Sequence, residues 1–265
     1  MTYGLIGYPL SHSFSRGYFT DKFAAAGLSD THRYLNFAME DIAGFRELRT
    51  RHPDLRGVNV TIPHKRGVMQ YLDALDPAAK RIGAVNCIRF DEHGRSTGFN
   101  TDYLGFKNDL LEQLRAKNWT QTAFGLPHSE DLLETFLESS SALILGTGGA
   151  SLAVREALRE LGLETTFVSR SAGPEKITYA EVTPEVLAEN LLVINTTPLG
   201  MAPNVDASAD LPYDAFTEAH FAYDLVYNPA ETQFLRRARE AGATTGNGLG
   251  MLERQAEAGW KIWEE

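Results

Sequence analysis

One cysteine, Cys87, stands in 265 residues, so no disulfide framework holds this chain together. Set within the apolar run Ala84-Val85-Asn86-Cys87-Ile88, its thiol reads as a small buried hydrophobe. Bases are scarce beside acids, 25 Lys and Arg against 35 Asp and Glu, for a formal charge of -10. That balance excludes a broad nucleic-acid or anionic-membrane surface and makes any anion site a local one. No basic stretch followed by an apolar one opens the chain, and no window approaches a membrane span. Repeats at solenoid period, low-complexity tracts and clustered His/Cys metal-ligand spacing are lacking too. These absences predict a soluble, cytoplasmic, metal-free protein with a small-molecule ligand, long enough for two domains.

What is present is organised around Ala142–Ser151, ALILGTGGAS. A short apolar run leads into Gly146-Thr147-Gly148-Gly149, and behind it Ala150–Leu161 carries apolar residues three and four apart, a helical spacing. Gly162 stops the helix, and Thr166-Phe167-Val168 reads as the next strand. Strand, glycine turn, helix and strand form half of a dinucleotide-binding unit: the glycines admit a pyrophosphate to the helix start, where free N–H groups meet its charge. A carboxylate after the second strand would select the ribose hydroxyl of NAD, whereas an arginine accommodates the 2′-phosphate of NADP. This chain has Ser169-Arg170-Ser171 there, which favours NADP over the alternative of a solvated surface arginine.

The first half reads as strand and helix in alternation. Tyr3–Gly7 is a strand, followed by Ser11-His12-Ser13-Phe14-Ser15 before a helical run carrying Phe19, Phe23 and Ala26. One serine suffices to cap a helix; three hydroxyls in five residues also suit a polyhydroxylated ligand. Arg33–Phe37 is a strand, Asp41–Arg51 a helix, and Gly57–Ile62 a strand with Asn59 and Thr61 opposite its apolar face. Pro63 ends that strand and puts Lys65 in the first turn of a following helix, where the dipole disfavours a cation and so promotes proton release. Ala84–Asp91 and Arg95–Asn100 are extended runs joined by a turn, and Asp102 sits where it would cap the next helix.

In the second half, Asn118–Ser140 reads as an added acidic surface helix begun by Ser129. Leu191–Thr197 is a buried parallel strand whose polar end, Thr196-Thr197, opens a ligand-side loop. Phe221–Tyr227 is a strand and Glu231–Ala241 a helix. In the final helix, Leu249, Leu252, Ala256, Trp260 and Trp263 form an apolar stripe, with Gln255 in the row beside it. A buried amide there needs a partner, either a ligand or a backbone carbonyl.

Taken in order, Ser13-Phe14-Ser15, Asn59-Val60-Thr61-Ile62-Pro63-His64-Lys65, Gly83-Ala84-Val85-Asn86 and Asn100-Thr101-Asp102 resemble the successive motifs of shikimate dehydrogenases. Gly146–Ser151, Tyr223–Pro229 and Gly248–Ala256 continue the likeness, which covers essentially the whole chain. Where that family usually has proline and histidine after the second serine, this chain has Arg16 and Phe19. Its cofactor clamp commonly reads Asn-Arg-Thr with a second base beyond; here Ser169-Arg170-Ser171 is followed by Lys176.

The resemblance implies an α/β fold: an N-terminal α/β substrate domain over 1–102, a Rossmann doubly wound NADP domain over 103–246, and a C-terminal helix, 247–265, packing back on the first. It implies reversible NADPH-dependent reduction of 3-dehydroshikimate to shikimate, on the way to chorismate and the aromatic amino acids, in a monomer or homodimer. By position, Lys65 and Asp102 become the catalytic pair. Ser13, Ser15, Asn59, Thr61, Asn86, Tyr227 and Gln255 become substrate-binding. Gly146, Gly148, Gly149, Ala150, Ser169, Arg170, Ser171, Thr196, Leu225 and Gly248 become cofactor-binding. Two alternatives stay open: a quinate/shikimate dehydrogenase using NAD or NADP, and a non-catalytic NADP- or shikimate-binding regulator, which would have no need of a proton-transfer pair.

Overall fold

The structure is a computed structural model that describes residues 1–10, 14–126 and 129–265. Strand β1 (Thr2–Gly7), helix α1 (Phe14–Ala25), β2 (Arg33–Ala38), α2 (Phe45–Arg51) and β3 (Leu55–Val60) open the chain. Then come β4 (Ala74–Leu75), α3 (Pro77–Ile82), β5 (Cys87–Phe90), β6 (Ser96–Phe99) and α4 (Asp102–Ala116). Short helices α5 (Trp119–Phe124) and α6 (Glu130–Glu138) lead to β7 (Ser141–Leu145), α7 (Gly149–Glu160), β8 (Glu164–Ser169) and β9 (Lys176–Thr178). The chain finishes with α8 (Pro184–Glu189), β10 (Leu192–Asn195), β11 (Phe221–Asp224), α9 (Gln233–Glu240), β12 (Thr244–Asn247) and α10 (Leu249–Glu264).

Two compact units result, Met1–Thr101 with Ala256–Glu265, and Asp102–Gln255. The first holds a six-stranded sheet in the order β2-β1-β3-β5-β6-β4. Its β1, β2 and β3 are parallel, while β5 runs antiparallel to both β3 and β6. Alternation along the strands sends Ile6, Val58, Val60 and Ile88 to one core and Tyr3, Leu5, Tyr34 and Cys87 to the other. Trp260 and Trp263 of α10 close the second core beside Tyr3, Phe19 and Phe23, and Trp263 Nε1 donates to the Ile88 carbonyl at 3.0 Å. Each such buried aromatic contributes about 1.5–3 kcal/mol.

The second unit holds an all-parallel sheet in the order β12-β11-β10-β7-β8-β9. That is the doubly wound order of a dinucleotide-binding sheet, reversing between β7 and β10. Both faces are covered: Ala142 and Ile144 point to one core and Leu143 and Leu145 to the other, which is why the strand reads as an unbroken apolar run. The first half of α10 is tied into this unit through Asp109 of α4, which accepts from Arg254 at 3.1 Å and from Tyr223 and Gln113 at 2.6 Å. The second compact unit ends at Gln255, and the chain rejoins the first at Ala256.

Several local expectations are corrected. Residues 41–51 form a 3-10 turn capped by Asp41 and then α2, not one helix. Ala26 lies beyond α1 and is exposed, and Leu249 is exposed rather than part of the apolar stripe. Strand β11 ends at Asp224, three residues earlier than the sequence suggests, because Asp224 Oδ1 turns back to accept from Val226 N at 2.9 Å. Helix α6 is not simply a surface addition: Leu133 and Leu137 are buried in the unit's core, beside Trp119 of α5. Among the described residues no helix is long and apolar enough to cross a membrane, and no group of three or more His, Cys, Asp or Glu could hold a metal ion.

Candidate active site

In the first unit the polar groups gather where β1 and β3 end and where β5 begins. Ser13 lies outside the described residues. Ser15 falls inside the first turn of α1, and its hydroxyl approaches the phenol of Tyr34 on β2. Tyr34 is buried, which raises its pKa well above the usual phenol value despite that hydroxyl. Its OH donates to Asn59 Oδ1 at 2.7 Å, and Asn59 Nδ2 reaches the Asn86 carbonyl at 3.4 Å. Asn86 Oδ1 accepts from Thr101 N at 2.6 Å, and Asn86 Nδ2 donates to Thr101 Oγ1 at 3.0 Å.

Lys65 is not in a helix. The chain after Thr61 makes turns, and a 3-10 helix begins only at Gly67, so the dipole argument for this lysine does not apply. Backbone and side-chain bonds fix the turn instead. Thr61 N donates to Ile6 O at 2.8 Å, Val85 N to Lys65 O at 2.7 Å, and buried His64 Nε2 lies 2.6 Å from Met39 O. Lys65 is half-buried on this ordered turn.

In the second unit, Asp102 is buried in the first turn of α4 rather than capping it from outside. Helix α10 packs on α4 at Gly105, against the backbone of Met251 and Gln255. Gln255 is buried, and its Nε2 donates to Leu252 O at 2.9 Å, the backbone partner left open by the sequence. Tyr227 follows β11 in a loop, with its phenol pKa raised by burial.

The cofactor candidates cluster at the carboxyl ends of β7, β8, β10 and β11. Gly146 has φ +103°, a conformation that side chains resist, and a Cβ there would lie 2.9 Å from Thr196 Oγ1. Gly148 precedes α7 with no side chain capping the helix, and an added Cβ would meet nothing within 4 Å. Gly149 and Ala150 then form the first turn, so their N–H groups face a helix start open to an anion. Thr196 Oγ1 donates to Leu145 O at 2.6 Å, tying the β10 loop to the glycine turn. Ser169 Oγ donates to Ser171 O at 2.6 Å and folds the β8 loop, leaving Arg170 exposed near Tyr179. Lys176 packs its stem against Gly173. Leu225 N donates to Asn195 O at 2.9 Å, and a side chain on Gly248 would strike the Leu225 carbonyl at 2.5 Å. These groups fit a dinucleotide carrying a 2′-phosphate.

Three buried side chains that the sequence did not single out hold this arrangement: Tyr34, Asn195 and Asp224. Asp224 accepts from Asn195 Nδ2 at 2.9 Å and Thr232 Oγ1 at 2.5 Å, while Asn195 Oδ1 accepts from Thr197 N at 3.0 Å. One amide and one carboxylate thus bind the loops bearing Thr196, Leu225 and Tyr227. Burial raises the Asp224 carboxyl to about 6.

A parallel doubly wound sheet with an uncapped glycine turn at its switch point, in a chain with a second α/β unit of buried polar side chains, defines a two-unit protein of the dinucleotide-binding class. Comparison with known proteins narrows it. Residues 5–88 match the family described as the shikimate dehydrogenase substrate binding domain. The shikimate dehydrogenase (NADP(+)) of Desulforamulus reducens is 34% identical, over 98% of this chain and 88% of that protein. The crystal structure of shikimate 5-dehydrogenase from Thermus thermophilus in complex with NADP(H) and shikimate is 33% identical, with a TM-score of 0.77 over 99% of this chain and 93% of that one. Quinate dehydrogenase from Corynebacterium glutamicum in complex with NAD is 25% identical, with a TM-score of 0.80 over 99% of this chain and 93% of that one. The chain belongs to the shikimate dehydrogenase family.

Proposed function

We propose that this chain catalyses the reversible NADPH-dependent reduction of 3-dehydroshikimate to shikimate. The observation that carries the reading is the uncapped start of α7 behind Gly146–Gly149, in a chain 34% identical to an NADP(+)-dependent shikimate dehydrogenase. Residues 1–102 with 247–265 mainly serve the substrate, and residues 103–246 mainly serve the cofactor. When bound, NADPH supplies the hydride. Lys65 stabilises the oxygen that gains charge and delivers its proton, a task suited to an ammonium group held by an ordered turn. Asp102 is the second member of the proposed catalytic pair. Ser13, Ser15, Thr61, Asn86, Tyr227 and Gln255 bind the hydroxyls and carboxylate, and Arg170, with Lys176 near it in the chain, meets the 2′-phosphate. The enzyme works in the cytoplasm as a monomer or homodimer, a state that light scattering on the eluting protein would define.

The purified chain, given shikimate and NADP+, should form NADPH, followed by its absorbance, and should do so faster than with quinate or with NAD+. Absence of shikimate-dependent reduction would sink the reading, and faster turnover of quinate with NAD+ would move the chain to the quinate branch of the same family. Arg170→Ala should raise KM for NADP+ far more than for NAD+; equal losses would show that Arg170 does not read the phosphate.

A further inference from the structure

The likeness to the family places Asn59 among the substrate contacts, yet its surroundings are those of a buried link. It is 5% exposed. Its Oδ1 accepts from Tyr34 OH and its Nδ2 donates to the Asn86 carbonyl, so both ends of the amide are committed inside the protein. Helix α10 covers it at Gly259, where an added Cβ would lie 3.6 Å from Asn59 Nδ2. On its far side Asn86 is fixed along its length. Its carbonyl also accepts from Val60 N at 2.8 Å, its N–H donates to Phe99 O at 3.0 Å, and its amide meets Thr101. Thr101 is the residue before Asp102. A continuous polar chain therefore runs beneath the sheet face from Ser15 through Tyr34, Asn59 and Asn86 to Thr101, and the last four members are each no more than 5% exposed.

We infer that Tyr34 and Asn59 are positioning residues for substrate binding, acting through Asn86 rather than touching the substrate. The chain has a direction. The Tyr34 proton fixes which end of the Asn59 amide is oxygen, and that choice leaves its NH2 facing the Asn86 carbonyl. Without the phenol, Asn59 has two poor options. It keeps its orientation with a buried acceptor unmade, or it turns over and sets its oxygen against another carbonyl oxygen. Either way Asn86 loses a donor that helps set its backbone, and a small displacement of an oriented binding group is enough to weaken a ligand. Tyr34 also stacks on Phe19 at 4.8 Å and 10° between ring planes, a contact that phenylalanine would keep, so Tyr34→Phe deletes only the phenol's hydrogen bonds, to Asn59 and with Ser15; the double variant with Asn86→Ala separates the two routes.

This inference rests on the proposed activity and on Asn86 as a substrate contact, and steady-state kinetics can fail it separately from that reading. With shikimate and NADP+, Tyr34→Phe should raise KM for shikimate about tenfold, the order of one unmade buried hydrogen bond. The kcat should stay within about threefold and KM for NADP+ within about twofold, since a purely structural loss would not select one substrate. Asn59→Ala should show the same pattern. In an Asn86→Ala background, which should itself raise KM, Tyr34→Phe should add less than about twofold because both act at one point. A Tyr34→Phe enzyme that melts earlier but keeps its KM overturns the inference, as does an unchanged KM in Asn86→Ala. Asn59→Ala losses that multiply with those of Asn86→Ala also overturn it, because Asn59 would then touch the substrate itself. If the unaltered protein shows no shikimate-dependent reduction, it is the activity that fails.

Discussion

In the Met1–Thr101 unit the candidate binding groups are side chains held by other side chains and by strand backbones, as Asn86 is by Asn59 and Thr101. In the Asp102–Gln255 unit the groups offered at the glycine turn are mainly backbone N–H, and what holds them is strand order, close glycine contacts and one buried Asn195–Asp224 pair. The difference follows from what each unit has to recognise. A pyrophosphate is the same in every dinucleotide and is met by peptide N–H groups that no side-chain truncation removes. A ring of hydroxyls is recognised by where each donor and acceptor sits, which requires individually placed side chains. The first kind of site is broken by adding an atom and the second by removing one.

The largest effect should come from removing Lys65. If it supplies the proton, its contribution grows in the transition state, so Lys65→Ala should lower kcat about 10²–10⁴-fold with little change in KM. Lys65→Arg should be nearly as poor, because a guanidinium does not give up its proton near neutral pH. Asp102→Asn should also lower kcat, and the double variant should be little worse than Lys65→Ala alone. A Lys65→Ala enzyme with kcat within about threefold and a raised KM would mark uniform binding instead.

Adding one carbon in the other unit comes next. Gly146→Ala puts a Cβ at φ +103° and 2.9 Å from Thr196 Oγ1, a strain of about 1–3 kcal/mol. Calorimetric titration should show NADP+ binding weakened about tenfold or more, with a lower melting temperature. Ser15→Ala, by contrast, should raise KM for shikimate and leave NADP+ binding unchanged. Comparable losses of both ligands in either variant would erase the distinction between the units.

How far each site is legible in the sequence follows the same line. The glycine turn, its helix and the buried parallel strands are local signals, so Gly146–Gly149 and the strand before it can be read directly, and α7 and β7 lie there. Lys65 cannot be placed from its neighbours. Pro63 suggests a helix start, but the His64 bond to Met39 and the Lys65 carbonyl bond from Val85 hold the segment as turns. Its proposed role comes from the likeness to a family, since a lone lysine is ordinarily a surface group. Tyr34, Asn195 and Asp224 give no signal because their meaning lies in partners far along the chain. Tyr34 and Asn59 are 25 residues apart and Asn195 and Asp224 29, joined only when strands pair. Strand β11 reads too long because Leu225 and Val226 are apolar, whereas the carboxylate of Asp224 is what ends it.

The smallest effect on activity concerns Asp224, the buried carboxylate that joins the β10 and β11 loops. Burial raises Asp224 from 3.8 to about 6, so the folded protein holds this proton more tightly than the unfolded chain. Its contribution to stability is therefore complete below the unfolded value of 3.8 and is lost as pH rises through about 6. The loss is about 3 kcal/mol at most, since each tenfold difference in proton affinity between the two states is worth about 1.4 kcal/mol. Asparagine would keep the network: its oxygen accepts from Asn195 Nδ2 and Val226 N, and its NH2 faces Thr232 Oγ1, whose proton can turn away. Asp224→Asn should thus gain stability relative to the unaltered protein as pH rises from about 4 to 7, by about 2–3 kcal/mol, while KM for NADP+ stays within about threefold. Urea unfolding at several pH values reads this directly. Parallel stability curves would show that the Asp224 carboxylate is not held out of water, and a large rise in KM would show that its charge, rather than its hydrogen bonds, sets the two loops.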